Sequence, residues 1–385
     1  MSTSDTESLH RLEVDLAILG GDIACLTTAL VAARAGLRVV VCSPTDLTGR
    51  GWAEVSLLQG DRLHPTRDLL GDDVLTGYLQ IAMDARLWLD DFLAGPGSEV
   101  LRRPVTAGAW VADGHQAVLL HQEAQALRLA DITAQFDDES ELPFPVRPVL
   151  TLPDQLLIER DSYLTAMVDA VTAAGAEVLT EARLVSGTTH EFVVQHGEHE
   201  VEILASRVVV GDGVPAPTRS PLPRGSVIRE YAVELESDHP IENLWYGLED
   251  SFTVTPGFNP GTIIVSGAAH PGSVPRESEL AFSTLIEFGR QRFGTQDALG
   301  RWSRLYSTST DRLPLVGPAG VLAPFIFVLG GIDRWDLLTG TAAGLQLGRY
   351  LNGTDTELPW SPVHARGGSP KAIVARLRAW LPGPK

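Results

Sequence analysis

Gly20, Gly21, Asp22 and Cys25 stand where a short apolar strand gives way to a helix, a junction at which backbone N–H groups can hold a phosphate. The dinucleotide-binding fingerprint G-x-G-x-x-G uses its first glycine for the turn, its second for close approach to pyrophosphate and its third for helix–strand packing. Here those three positions are Gly20, Asp22 and Cys25. A carboxylate at Asp22 would repel a diphosphate on the helix N-terminus. The same side chain could instead cap that helix, where aspartate is favoured. Gly20, Gly21, Asp22, Ile23 and Ala24 are the candidate contact residues of this loop.

Arg312 and Arg334 could each bind a substrate carboxylate bidentately. The competing use of Arg334 is an internal ion pair with Asp333, Asp336 or Asp22. Cys25 reads as a small buried residue, since nothing basic lies near it. The histidines show no metal-ligand spacing, so no metal site is expected. Lysine occurs only at Lys371 and Lys385, which excludes chemistry that needs a core lysine.

The elements that must position these residues follow from periodicity. Leu16–Leu19 read as a buried strand, Ile23–Ala35 as a helix closed by Gly36, and Arg38–Val41 as the start of a second parallel strand. Ser43–Pro65 read as a long loop, Asp68–Leu93 as a helix weakened at Gly71 and Gly77, and Val105–Leu120 as a hairpin about Asp113-Gly114. His121–Asp138 read as a helix, and Asp161–Gly175 as another, followed by a strand at Glu177–Leu179 and short strands through Ile203. Further strands are expected at Ser226–Leu235, Ser251–Thr255 and Thr262–Ser266, and a helix from residue 277 to Phe293. Leu305 onward reads as a loop, then a strand Phe325–Leu329, a Gly330-Gly331 turn and a helix from Asp336 to Leu351. The tail after Pro359 carries one short amphipathic helix near residues 372–380.

With 385 residues the chain exceeds what one core usually serves, so two interleaved domains are expected. Hydrophobic residues make up 44% and aromatics 6%, an ordinary globular composition. The net charge of −19 argues against binding to nucleic acid or to an anionic membrane. Two cysteines make no disulfide framework, and the polar, acidic start lacks the basic region of a signal peptide. The expectation is a cytoplasmic protein.

Three blocks in order carry a resemblance: the N-terminal strand–loop–helix, the segment GAEVLTEARLV with the later Gly211-Asp212-Gly213, and LYSTSTDRLPLVGP with the terminal strand–loop–helix. Together they resemble the FAD-dependent oxidoreductases of the D-amino-acid oxidase, glycine oxidase and sarcosine oxidase type. The resemblance implies an α/β fold: a discontinuous Rossmann-like FAD-binding domain and a mixed-sheet cap, with substrate between them over the flavin. The implied FAD-type domain spans 12–104, 150–224 and 305–358, the cap 105–149 and 225–304, with tails at 1–11 and 359–385. Tyr306 matches the family tyrosine and, with Arg334, is a catalytic candidate. The cofactor contacts implied are Ser43, Leu184, Gly211, Gly331 and Ile332 besides the first loop. Gln59 and Gly60 resemble the A-Q-G-G loop of the fumarate reductase and aspartate oxidase group, with Glu54 at that group's flavin-linking histidine.

Carried over by position, several contacts differ. Ser43 stands where an acid would hold the ribose, Asp333, Arg334 and Asp336 where glycines would approach the isoalloxazine, and Arg304 where some relatives link FAD through cysteine. Two functions are therefore expected of the same fold. One is a flavin-poor or flavin-free pseudo-oxidoreductase acting as a partner subunit or ligand binder. The other is an active FAD-dependent dehydrogenase or oxidase of an amine, amino acid or related small acid, acting on CH–NH or CH–NH2 groups.

Overall fold

The computed structural model describes residues 10–360 except 219–221, 275–277, 297 and 321–322. Two sheets organise it. The first runs Leu315–Pro318, Ile326–Gly330, His199–Gly211, His10–Leu19, Val39–Cys42, Glu177–Leu179. Every neighbour along it is parallel except the edge pair Leu315–Pro318 with Ile326–Gly330. Leu16–Leu19, Val39–Cys42 and Val208–Val210 are wholly buried, as befits strands of a parallel sheet covered on both faces. The helix Ile23–Arg34 makes the crossover between the first two strands, giving the expected βαβ unit.

The first strand starts at His10, where a tail to residue 11 was expected. His10 and Arg11 pair with Val201 and Glu202, and this ladder carries the strand past the apolar run that periodicity detects.

The terminal helix Asp336–Leu351 packs along the helix Ile23–Arg34, and Gly340, Gly344 and Gly348 supply the close approach. A Cβ at Gly344 would lie 2.6 Å from the carbonyl oxygen of Ala24. One at Gly348 would lie 2.7 Å from Cβ of Val31.

The second sheet runs Ala298–Thr308, Ser226–Glu236, Thr262–Pro271, Thr253–Pro256, Leu244–Gly247, Arg102–Trp110, Val149–Glu159, Trp52–Val55, with Gln135–Asp137 paired to Val149–Glu159. The helix Ser278–Phe293 packs on it through Leu285, Gly289 and Phe293. Trp52–Val55 and Val149–Glu159 thus join the second sheet although they fall largely inside segments expected of the first domain. Ala298–Thr308 does the same to its end, because it pairs with Ser226–Glu236 throughout.

Several local expectations change. The loop Ser43–Pro65 contains the strand Trp52–Val55 and leads into the helix Leu63–Leu70. Gly71, at φ +94°, splits the next expected helix into Leu63–Leu70 and Asp72–Ala94. No hairpin forms at Asp113-Gly114: Asp113 accepts from His115 N–H at 2.9 Å and starts a helical turn that leads into Ala117–Arg128. The stretch expected to stay helical to Asp138 turns into the strand Gln135–Asp137. Leu244–Gly247 is an unexpected strand. The helix Arg160–Ala173 and the terminal strand and helix fall close to expectation. The expected helix near 372–380 lies outside the described residues.

Candidate functional site

The carboxyl ends of the parallel strands converge on the amino end of the helix Ile23–Arg34. Asp22 caps this helix: its carboxylate accepts the N–H of Cys25 at 2.8 Å. Although Asp22 keeps contact with solvent, surrounding protein and the charge of Asp212 push its carboxyl up to about 6. Asp212 follows the strand His199–Gly211, and its carboxylate accepts from the Ser307 hydroxyl and the Gly331 N–H. Burial also raises Asp212, against those two hydrogen bonds. The carboxylate lies over Gly330, where a Cβ would clash with its Cγ.

Gly20 and Gly211 meet at backbone distance, since a Cβ at Gly20 would stand 3.3 Å from Gly211 Cα and 2.9 Å from Cys25 Sγ. Ser43 is buried beside Gly21 and accepts from Thr45 N–H at 3.3 Å. Thus Gly20, Gly21, Asp22, Ser43 and Gly211 are brought together, as their positions predict.

Six charged side chains form a lattice between the sheets. Arg334, from the loop before the terminal helix, reaches Glu230 Oε1 at 3.1 Å and Thr253 Oγ1 at 2.7 Å. Arg304 donates to the other oxygen of Glu230 at 2.7 Å and stands 3.9 Å from both Glu54 and Asp336. Arg160 holds Asp336 bidentately at 2.6 and 2.8 Å. Three arginines therefore face three carboxylates.

The competing reading of Arg334 as ion-paired is met with a different partner: Glu230, on a strand far away in sequence, replaces Asp333, Asp336 and Asp22. The backbone N–H of Arg334 bonds to Asp333 at 2.7 Å. Burial opposes ionisation of Glu230, but Arg334 and Arg304 outweigh it and hold the carboxyl below its usual range. Asp336 is likewise lowered, by Arg160 against burial. Glu54 goes the other way, because burial exceeds the pull of Arg304 and Arg334.

Above the lattice opens a cleft of about 570 Å³ bordered by Tyr246, His270, Tyr306, Arg312, Arg334 and Trp335. Tyr306 stands on its wall, its phenol raised by burial and by Glu230. Arg312 donates to the Asp61 carbonyl at 3.1 Å. Beside it Arg62 is fully buried, its guanidinium between the rings of Tyr78 and Trp335 at 4.9 and 5.5 Å.

A family model described as FAD dependent oxidoreductase matches residues 15–349. The chain belongs to that FAD dependent oxidoreductase family. Its fold is like that of solved structures: L-proline dehydrogenase from P. horikoshii has a TM-score of 0.71 at 14% identity, covering 92% of this chain and 98% of that one. Glycine oxidase from Geobacillus kaustophilus has a TM-score of 0.70 at 16% identity, covering 92% and 99%. A Bacillus subtilis (strain 168) protein named "Putative Rieske 2Fe-2S iron-sulfur protein YhfW" is 20% identical over 366 residues, 87% of this chain and 68% of its own.

The remaining family positions are distributed unevenly. Gly331 and Ile332 lie at the site, Ile332 bridging Thr308. Gln59 spends its amide on Ser56 O at 3.2 Å and on the Tyr78 hydroxyl at 2.7 Å, and Gly60 packs on Trp335. Leu184 instead sits in a side hairpin opposite Val194. Among the described residues no His/Cys/Asp/Glu group could hold a metal ion, and no helix is long and apolar enough to cross a membrane. Cys25 and Cys42 are free and buried. Glu230, Asp212 and Arg160 were not foreseen; Glu230 follows Arg229 on a strand with further glutamates, so nothing in the local sequence marks it as buried.

Proposed function

We propose that this member of the family is a flavin-poor or flavin-free pseudo-oxidoreductase, working in the cytoplasm as a partner subunit or a ligand-binding protein. The observation that carries this reading is the pair Asp22 and Asp212 at the amino end of the helix Ile23–Arg34, with Asp336 adding like charge to Asp22. A diphosphate there would meet carboxylates, and the Cys25 N–H is already taken by Asp22. The second support is steric. Arg334 and Asp336, which replace small family residues, hold ion pairs where the resemblance places the isoalloxazine edge. These residues do not fit FAD, and no redox step is assigned to them.

The cleft and Tyr306 favour a second reading, an active FAD-dependent oxidoreductase of an amine, amino acid or small acid. One experiment separates the two. The purified protein, incubated with excess FAD and desalted, should lack the visible flavin spectrum and show no rise in melting temperature. A yellow protein with bound flavin overturns the first reading. The relative named for a Rieske 2Fe-2S centre makes an iron–sulfur protein the first partner to try.

A further inference from the structure

The strand Ala298–Thr308 ends the second sheet and pairs on one side only, with Ser226–Glu236. Its other side is engaged near its end, where Asp333 N–H donates to Ser307 O at 2.7 Å and Thr308 bridges Ile332. That bond turns the peptide groups of Ser307 outward. Alternation along an antiparallel strand gives Leu305, Ser303 and Arg301 the same orientation. Among the described residues no strand lies on that side of them.

The same edge is apolar. Leu299 and Leu305 are 55% and 50% exposed, and Leu280 on the neighbouring helix is 60% exposed. That helix is held against the strand by Arg301, which stands 3.4 Å from Glu279 and 5.7 Å from the ring centre of Phe282. Exposed edges are usually blunted by lysine, proline, charge or a bulge. This one has Arg301 and an irregularity at Leu299, but neither lysine nor proline.

We propose that this edge pairs with the same edge of a second copy, antiparallel about a two-fold axis through Trp302. In that register Arg301 of one copy faces Ser303 of the other, both with outward peptide groups, so each pair exchanges two hydrogen bonds. Leu305 of each copy then lies toward the bulge that carries the exposed Leu299 of the other, an apolar contact made twice. A register centred on Arg301 would instead oppose two guanidinium groups, which is destabilising. A register centred on Ser303 would set each Arg301 against Leu305 and give up the contacts between leucines, so LGRWSRL favours the alignment about Trp302, the isologous contact a two-fold dimer needs.

Charge does not prevent it locally. The chain carries −19 overall, yet Ala298–Thr308 contains two arginines and no carboxylate. Repulsion between distant exposed acids is screened beyond about 8 Å at physiological salt. A stable interface buries about 1,200–2,000 Å² in total, so the strand pair needs the flanking Leu280 surface, and a reversible dimer is expected. The inference does not depend on whether flavin binds.

Sedimentation velocity of the full chain over a concentration series tests it. The mass should rise from 41.4 kDa toward twice that value, and Leu305→Lys should weaken dimerisation at least tenfold while melting temperature and circular dichroism stay unchanged. A mixture of Arg301→Cys and Ser303→Cys proteins should cross-link on oxidation faster than either alone, which reports the register. A chain that stays monomeric overturns the proposal. So does a dimer indifferent to Leu305→Lys, or an edge occupied only by a different protein.

Discussion

Arg334 and Glu230 meet at 3.1 Å, one from the loop before the terminal helix and the other from the second strand of the large sheet. Both are almost fully buried, and each has a further ionic neighbour, Glu54 for the arginine and Arg304 for the glutamate. Such a pair gains little over an apolar contact of the same shape, but losing one member leaves a buried charge alone.

Glu230→Ala should therefore destabilise the protein by about 3–5 kcal/mol. Denaturant unfolding measures it. Replacing Glu230 and Arg334 together by apolar residues should cost less than Glu230→Ala alone, and a double-mutant cycle reads the difference. A purely additive cycle would show the pair to be uncoupled.

The lattice also sets an acid response. Glu230 and Asp336 have folded-state carboxyls below their ordinary values of 4.5 and 3.8, so their contribution is complete above those values and is lost as pH falls through the lowered ones. Melting temperature should drop on acidification below about pH 4.5, less steeply in Glu230→Ala than in the unaltered chain.

Asp22 has the opposite sign. Its carboxyl rises from 3.8 to about 6, so the folded state binds the extra proton and stability falls as pH climbs through that window. Asp22→Asn keeps a good cap while removing the charge. The variant should melt higher than the unaltered protein at pH 8, with the gap closing between about pH 6 and pH 4. An unchanged gap across that range would falsify the assignment.

Protonation of the same residue bears on anion binding. Binding of ADP, followed by calorimetry, should be undetectable at pH 8 and become measurable at pH 5, because one of the carboxylates at the helix N-terminus is then neutral. Asp22→Gly should remove most of this pH dependence.

Gly344→Ala should destabilise in spite of alanine's better helix propensity. The added methyl would sit 2.6 Å from a main-chain oxygen, and overpacking of this kind costs about 1–3 kcal/mol against about 1 kcal/mol gained in propensity. Thermal unfolding of the variant gives the sign.

Local pattern made the βαβ unit and the terminal strand and helix legible, because each is an apolar run with glycine at its turn. It failed at Asp113-Gly114, where a side-chain cap started a helix instead of a hairpin. It also failed at Ala298–Thr308, whose half-polar residues look like a loop until the ladder to Ser226–Glu236 holds them extended. Ser43 and the Gly20–Asp22 loop were legible because their positions on the βαβ unit fix where they point.

The amino-acid order by itself determined the family, through three blocks in a fixed order, and the crossover unit with a carboxylate at its helix N-terminus, which depend on neighbours within a few turns of chain. Tertiary structure alone decided what the charges do. Asp212 joins Asp22 only because parallel strands end side by side, and Arg334 finds Glu230 only because the closing loop is laid against the second sheet. Ion pairs act over a few ångströms, and no spacing along the sequence encodes a contact made between sheets.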